Sequence, residues 1–447
     1  MHLKKPILLF LFLLISIKVS SQETWSLDDC VAYAIEHNLL LKDFTYIKDS
    51  GKETYRQSVR NLLPSVSGSS NYSISYGRST DPNTNDIVNS DFFSNSYSLN
   101  TSMDIFQGFQ KLNSIKASKF LYRAAMEDVQ QQKYLLAFRV MSAYYDIKFY
   151  EGLVNNSEEQ AEISQTNFDL VKRQIELGLK AGADLYEAEA TLLGDQLLVT
   201  QNKNLLAAGK LILLQEMNLE KITDIVLLDE MGKVEKEEKN VDMDSVYNAA
   251  KAFIPLLKAQ EFRAKAAKKE VAVAKGLLSP SLSIFAGYGT GYYETTVDSL
   301  GLIIPFNNQI KDNASRYIGA SLSVPIFSRW SGRSRIKQQK INLKRANNAV
   351  DIQEQELFKL IQQLVQELNA LQTEVEQSTK QMESQELAFT IAQKKYDKGL
   401  INALELVQAK NLYGTSQNEN LQARLRLKVN EKTLDFYGGL PIFNITP

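Results

Sequence analysis

The chain of 447 residues contains one cysteine, Cys30, and two histidines, His2 and His37. A single thiol forms no internal disulfide and no Cys-rich metal site. His2 lies in a segment expected to be removed, so a Ser-His-Asp triad or a histidine metal site would rest on His37 alone. An excess of one charge is also missing. Lys+Arg number 51 against 52 Asp+Glu, a net charge of -1, which argues against a nucleic-acid partner. Past residue 20 no run approaches the ~18 uninterrupted apolar residues of a spanning helix. Gly287, Gly289 and Gly291 in YGTGYY make no phosphate loop, because no helix start with Lys-Ser/Thr follows. An enzyme reading finds no site, and no cofactor is implied. Cys30 and His37 read as packing residues. What remains looks, by composition, like a soluble protein of two or three domains.

Residues 1–21, MHLKKPILLFLFLLISIKVSS, carry a basic start at Lys4 and Lys5, an apolar run from Ile7 to Ile17 and a small-residue end. This is the pattern of a signal peptide, with Gln22 as the first mature residue. The protein is expected to be exported.

The most informative feature is that the chain is written twice. LLK at 40–42 returns at 256–258, and LLPSVS at 62–67 returns as LSPSLS at 278–283, with the same offset. MDIF at 103–106 then faces VPIF at 324–327, and FDLVKRQIELGLKAGADL at 168–185 faces FTIAQKKYDKGLINALEL at 389–406, both at an offset five larger. The step between these landmarks marks a loop. Within each unit the period changes. Residues 27–62 and 244–278 are helical in character. Alternation then sets in: Val66, Tyr72, Ile74 and Tyr76 oppose Ser65, Ser67, Ser69, Asn71, Ser73 and Ser75. Tyr97, Leu99, Thr101, Met103 and Ile105 alternate with Ser96, Ser98, Asn100, Ser102 and Asp104. In the second unit Leu282, Ile284, Ala286, Tyr288 and Tyr292 share one face, as do Ile318, Ala320, Leu322, Val324 and Ile326. Such strands are close to the ~9–11 residues that cross a bilayer when tilted.

After each strand pair the period becomes seven: Ile115, Tyr122, Val129, Leu136, Ala143 and Tyr150, then Ile336, Leu343, Val350, Leu357, Leu364 and Leu371. A sustained heptad imposes left-handed supercoiling. Gly178 and Gly399 end the coils, and a helix of the same character returns after each. Four strands leave unpaired edges that hydrocarbon does not tolerate, so the barrel must be completed by other copies of the chain. The fold class is therefore mixed α and β: an internally duplicated chain joining a long coiled-coil α-helical barrel to a transmembrane β-barrel. An alternative from another class is a membrane-anchored coiled-coil structural or adhesive stalk without transport. A mere anchor, however, needs no serine-lined face.

These features resemble the outer-membrane efflux proteins of TolC type. SLDDCVAYAIEHN (26–38), LLPSVSGSSNYS, MDIFQGFQ, VPIFSRWSG and the tip segments RQIELGLKAGADLYEAE (173–189) and KKYDKGLINALELVQAK (394–410) carry the resemblance. It implies a homotrimer with a twelve-stranded barrel in the outer membrane of a Gram-negative bacterium and a helical extension across the periplasm. Its implied partners are a periplasmic adaptor protein, an inner-membrane RND or ABC transporter, and outer-membrane lipid. The implied function is the channel component of a tripartite efflux or type I secretion system. On this plan 1–21 is the signal peptide, 22–63 the first periplasmic helix, 64–107 the first β-hairpin and 108–219 the first helical pair. Residues 220–243 form an equatorial or linker segment, 244–279 the second periplasmic helix, 280–328 the second hairpin, 329–435 the second helical pair and 436–447 the C-terminal equatorial segment.

The resemblance also assigns sites. Asp184, Tyr396 and Glu405 match gate and acidic-ring positions of the entrance. Ile401 stands where a basic gate residue is expected, and Gln408 where a second acid is, so in place of an Asp–Arg network the candidates for closure are the cations Lys180, Lys394, Lys395 and Lys398 and packing by Leu400 and Ile401. Gly178, Leu179, Gly399 and Leu400 are the tip residues expected to meet the adaptor. Tyr72, Tyr76, Tyr97, Tyr288, Tyr292 and Trp330 are expected at the lipid interfaces. Loops 78–93 and 294–314 should face outside.

Overall fold

The computed structural model describes residues 24–80, 85–89, 91–219, 224–228 and 241–443. The signal peptide and the KVEKEEK run at 233–239 lie outside the described residues. The chain opens with β1 (Thr24–Trp25), α1 (Leu27–His37) and α2 (Leu39–Arg60). Next come β2 (Ser65–Ser75), β3 (Arg78–Thr80), β4 (Ile87–Asn89) and β5 (Phe92–Gln107). Then follow α3 (Gln110–Glu176), α4 (Gly182–Met217) and β6 (Val226–Leu227). The second half runs α5 (Met243–Phe253), α6 (Pro255–Gly276), β7 (Ser281–Tyr293), α7 (Phe306–Asp312), β8 (Ser315–Ser323), α8 (Ser331–Asp397) and α9 (Ala403–Tyr437).

The duplication holds residue by residue. α3 and α8 are both 67 residues long, and their first residues, Gln110 and Ser331, are separated by the same offset as the tip segments. Gly182 and Ala403, which open α4 and α9, keep that offset. The helical runs expected over 27–62 and 244–278 each break once, at Asn38 and Ile254, which are equivalent positions of the two repeats. The two breaks have different causes. Asn38 takes an extended ψ of 125°; its Oδ1 accepts from the Leu41 N–H at 3.1 Å, and its Nδ2 donates to the Glu216 carbonyl at 3.0 Å. Ile254 precedes Pro255, whose ring disfavours helical backbone in the residue before it and suits the first position of α6.

The chain forms two compact units. Among the described residues, one unit is drawn from 24–45, 128–255 and 354–443, and the other from 46–127 and 256–353. In the first unit the heptad residues Leu136, Ala143, Leu357 and Leu371 are buried, and so are Val140, Ile147, Ile361 and Leu368, which lie three or four residues from them on the same helices. The Phe436 ring joins α9 to its neighbours, edge-on to Tyr134 at 4.8 Å, Phe138 at 5.0 Å and Phe253 at 5.6 Å. α9 thus continues through Tyr437, into the segment expected to start at 436. Within the 220–243 segment, residues 224–228 pack against the helices and β1. Its β6 pairs in parallel with β1, the Tyr144 hydroxyl donates to the Leu228 carbonyl at 2.6 Å, and the Lys148 ammonium donates to the Leu227 carbonyl at 3.2 Å.

The second unit holds an antiparallel sheet of order β2-β5-β7-β8, with β2 and β8 as edges. β5 starts at Phe92, ahead of the expected alternation. β8 stops at Ser323, because Pro325 cannot donate to a ladder. Where each second strand gives way to its long helix, two consecutive residues are left-handed: Gly108 and Phe109 (φ 57° and 61°), and Arg329 and Trp330 (φ 49° and 63°). The two pairs occupy equivalent positions of the repeats. Only Gly serves at 108, where a β-carbon would lie 2.6 Å from the Gly276 carbonyl oxygen.

Candidate channel entrance and barrel wall

Both long helices end in the same turn. The Gly178 N–H donates to the Ile175 carbonyl at 2.9 Å, and the Leu179 N–H to the Gln174 carbonyl at 2.8 Å. Gly399 donates to Tyr396, and Leu400 to Lys395, both at 2.9 Å. This nested pair needs a left-handed residue, supplied by Gly178 (φ 74°) and Gly399 (φ 71°). The reversal leaves Leu177, Leu179 and Leu400 at 71%, 71% and 69% exposure, an apolar tip.

α4 and α9 then restart with opposite caps. The Asn402 Oδ1 accepts from the Glu405 N–H at 2.9 Å. Ala181 stands at the equivalent position and has no side-chain acceptor. There the Asp184 carboxylate reaches back to the Ala181 N–H at 3.2 Å. Asp184 and Glu405 both sit in a first turn, where the helix dipole favours a carboxylate.

Lys180 joins the two tips. Its ammonium donates to the Tyr396 hydroxyl at 2.9 Å and lies 4.8 Å from the centre of that ring. Tyr396 itself is only 8% exposed. A cleft of about 420 Å³ is lined by Gln174, Lys180, Asp184, Tyr396, Asp397 and Ile401, among others. Asp184, Tyr396 and Ile401 therefore share one cleft, with Lys180 as its cation. Glu405 and Gln408 are exposed and do not line it.

Deeper in the same unit lies a group that no sequence pattern marks. The Lys410 ammonium is buried against the carboxylate of Asp195 and donates to the Ser164 hydroxyl at 2.7 Å, while that hydroxyl donates to Asp195 at 2.5 Å. Three helices, α3, α4 and α9, meet at this point. Nearby, Tyr413 stacks on Phe389 at 5.9 Å. Burial raises its hydroxyl pKa above the ordinary value, and the carboxylates of Glu386 and Glu159 add to the rise.

The sheet has one polar and one apolar face. On the polar face serine hydroxyls bond across the strands, Ser65 to Ser102 at 3.0 Å, Ser69 to Ser98 at 2.7 Å and Ser73 to Ser94 at 2.9 Å. Asp104 is paired with Lys111 at 2.9 Å. On the other face the Phe93 ring lies 4.3 Å from Tyr72 and 5.7 Å from Tyr292, and Phe306 lies 5.5 Å from Tyr292. This aromatic band is at the loop end of the sheet. Tyr76 follows β2 and is 74% exposed. Tyr97 pairs with Ser70, and Tyr288 with Leu99, which puts both midway along the strands. At the helix end Phe109 and Trp330 are 62% and 59% exposed.

The segment 294–314 carries α7 and folds back on β7. Gln309, 2% exposed, accepts from the Tyr293 N–H and donates to the Tyr293 carbonyl, both at 3.0 Å, and Asn313 donates to the Gly291 carbonyl at 2.8 Å. These side chains satisfy β7 beyond the end of β8. The segment 78–93 carries the β3–β4 ribbon, pairing Arg78 with Asn89. Among the described residues there is no cluster of His, Cys, Asp and Glu able to hold a metal, and no helix long and apolar enough to cross a membrane.

The family model described as outer membrane efflux protein matches residues 34–215 and 246–440, one stretch in each repeat. The chain belongs to the outer membrane efflux protein family. No curated protein sequence matches this family member. Solved structures do. The Campylobacter jejuni CmeC outer membrane channel aligns with a TM-score of 0.79 at 16% identity, covering 92% of this chain and 85% of CmeC. CusC aligns at 0.77 and 17%, covering 93% and 92%, and the open state of the Neisseria gonorrhoeae MtrE outer membrane channel at 0.73 and 18%, covering 94% and 90%. The duplicated plan of long helices and paired strands is thus the fold of outer membrane efflux channels.

Proposed function

We propose that the chain is the outer-membrane channel component of a tripartite efflux or type I secretion system. It acts as a passive conduit from the periplasm to the outside, with no catalytic step. One observation carries this reading: a four-stranded sheet with a hydroxyl face, an apolar face and two open edges. Such a sheet is stable in a bilayer only when copies close it into a barrel, with the serines around water and the tyrosines toward lipid. Three copies give twelve strands, enough for a channel rather than a filled barrel. The helical units then extend into the periplasm and end at the tips.

The tips form the gated entrance. Asp184, Tyr396 and Ile401, with Lys180, hold the closed state, and Glu405 and Gln408 line the approach. The exposed tip residues Gly178, Leu179, Gly399 and Leu400 meet a periplasmic adaptor, and an inner-membrane transporter supplies the energy. Adaptor binding shifts the entrance equilibrium only by its differential affinity for the open state.

The decisive experiment is to purify the protein from outer membranes and record it in planar bilayers, alone and with Asp184→Asn plus Glu405→Gln. The expected result is a trimeric mass and a conductance that rises in the variant. A dimeric mass, or no conductance in either form, would overturn the reading.

A further inference from the structure

The net charge of -1 hides a sharp separation along the chain. From Gln110 to Met126, α3 carries Lys111, Lys116, Lys119 and Arg123 and no acid. From Ser331 to Val350, α8 carries Arg333, Arg335, Lys337, Lys340, Lys344 and Arg345 and no acid. Acids return at Glu127 and Asp128 in one helix, and at Asp351, Glu354 and Glu356 in the other. The helix dipole favours acids in a first turn, and neither helix has one there. Helix stability therefore does not account for the pattern. A merely solvated face mixes both signs, as the later turns of α3 and α8 do.

The cations form stripes. Lys116, Lys119 and Arg123 are three and four residues apart, which puts them on one side of α3, and all three are exposed. Arg333, Lys337, Lys340 and Lys344 do the same on α8. The offset between repeats aligns Lys337 with Lys116, Lys340 with Lys119 and Lys344 with Arg123; at the remaining position Arg333 aligns with Leu112. Among the described residues none of these cations makes an ion pair. Arg333 lies over the Trp330 ring, 4.3 Å from its centre, and Arg123 over the Phe262 ring at 5.8 Å.

The residues above each stripe set which way it faces. Phe106 pairs with Leu282 on the apolar face of the sheet, and the Phe109 ring meets Phe106 edge-on at 5.4 Å. Leu112 follows one turn beyond Phe109 and opens the α3 stripe. Trp330 holds the position of Phe109 and bears Arg333 on its ring. Lys111, about 100° around the helix from Leu112, instead reaches Asp104 on the hydroxyl face. Both stripes thus continue the apolar face of the sheet toward the tips. From Arg333 to Lys344 the stripe runs ~16 Å. That is the depth of a lipid headgroup layer, ~6 Å, and one Debye length, ~10 Å.

We propose that the two stripes, Lys116, Lys119 and Arg123 on α3 and Arg333, Lys337, Lys340 and Lys344 on α8, bind the headgroups of anionic phospholipids in the leaflet at the helix end of the barrel. Phe109 and Trp330 sit in the headgroup layer, and the cations meet the lipid phosphates beside and below them. A zwitterionic headgroup neutralises its own phosphate, so the stripes select lipids with a net negative charge. This rests on the reading of the sheet as a membrane barrel and adds which lipids it selects and where.

The lipid selectivity of the full chain in vesicles tests this. The protein is reconstituted in phosphatidylcholine, and the share of spin-labelled lipid immobilised at its surface is compared for phosphatidylglycerol and phosphatidylcholine labels. The wild type should hold phosphatidylglycerol about fivefold better, and about 0.5 M salt should remove most of the difference. The variant Lys116→Gln, Lys119→Gln, Lys337→Gln and Lys340→Gln should lose the preference, and Lys116→Arg, Lys119→Arg, Lys337→Arg and Lys340→Arg should keep it. So should Lys172→Gln, Lys203→Gln, Lys359→Gln and Lys380→Gln, which remove as much charge from the other compact unit. The proposal is overturned if the wild type shows no preference, if the first variant keeps it, or if either of the others loses it. Pelleting with purified peptidoglycan that the first variant loses, without any lipid preference, would assign the stripes to the cell wall and equally overturn it. Conductance in planar bilayers is scored separately. A conducting protein without lipid preference loses the stripes and keeps the channel, whereas a preference without conductance keeps the stripes and loses the channel.

Discussion

The Lys180 ammonium donates to the Tyr396 hydroxyl at 2.9 Å while lying 4.8 Å from the centre of the same ring. One cation thus makes two contacts to one residue across the two helical tips. Together they are worth ~1–2 kcal/mol, one part hydrogen bond and one part cation–π. Lys180→Ala should therefore shift the entrance equilibrium about tenfold toward open, read as a higher open probability of single channels. Tyr396→Phe keeps the ring and loses the hydroxyl, so it should fall between wild type and Lys180→Ala. Equal open probabilities in all three would show that the contact does not close the entrance.

The buried Lys410 should behave differently. Lys410→Met strands the Asp195 carboxylate, whose side chain is 15% exposed. Removing one partner of a buried pair costs about 3–5 kcal/mol, whereas replacing both by apolar residues is often neutral. Thermal unfolding should thus show a large loss for Lys410→Met and recovery in Lys410→Met with Asp195→Leu. A double variant as unstable as the single one would contradict this account.

Backbone geometry gives a prediction with two signs. Gly399 is left-handed at φ 71°, so Gly399→Ala should destabilise the second tip by ~1–2 kcal/mol. Arg329 is left-handed at φ 49°, at the position that Gly108 fills in the first repeat. Arg329→Gly should relieve about the same strain and slow unfolding. Denaturant unfolding of both variants checks the pair of signs.

The start of α1 should be acid-sensitive. The Ser26 hydroxyl and N–H bond the Asp29 carboxylate at 2.6 and 3.1 Å and hold its pKa below the usual value. A depressed folded pKa contributes stability above the unfolded value of 3.8, and this is lost as pH falls through the folded one. Hydrogen exchange at residues 27–30 should accelerate in acid below that value. Ser26→Ala should raise exchange at neutral pH by about 1 kcal/mol of lost capping and flatten the acid response.

The opposite sign applies to Tyr437, which stacks 13° from parallel with Phe138. Burial raises its hydroxyl pKa above 10.0. Its contribution is complete below the unfolded value of 10.0 and fades as pH rises through the folded one. Tyr437→Phe should remove that part of the alkaline destabilisation in a pH series of melting curves.

Much of this architecture is legible in the sequence because it is periodic. Serine alternation marks the sheet faces, heptads mark α3 and α8, and paired Gly-Leu marks the two tips. The offset between repeats alone sets Phe109 opposite Trp330, although only Trp330 stands out as a candidate for the lipid interface. What stays hidden depends on contacts distant in sequence. Lys410 lies on a helix rich in polar residues, and nothing local shows that Asp195 and Ser164 will bury it. Gln309 looks like any loop glutamine, yet it completes β7. Asn38 breaks a helix without the proline that announces the matching break at Ile254. In the cleft, Asp184, Tyr396 and Ile401 are legible by position, and Lys180 is one of four candidate cations in the sequence, of which the fold of the first tip brings this one to the Tyr396 ring.

The buried Lys410 has a mechanical meaning as well. With Asp195 and Ser164 it pins α3, α4 and α9 about three turns of helix from the tips. Parting Lys180 from Tyr396 therefore moves the two tips about a fixed point, and they work as jaws on a hinge rather than as rods that slide.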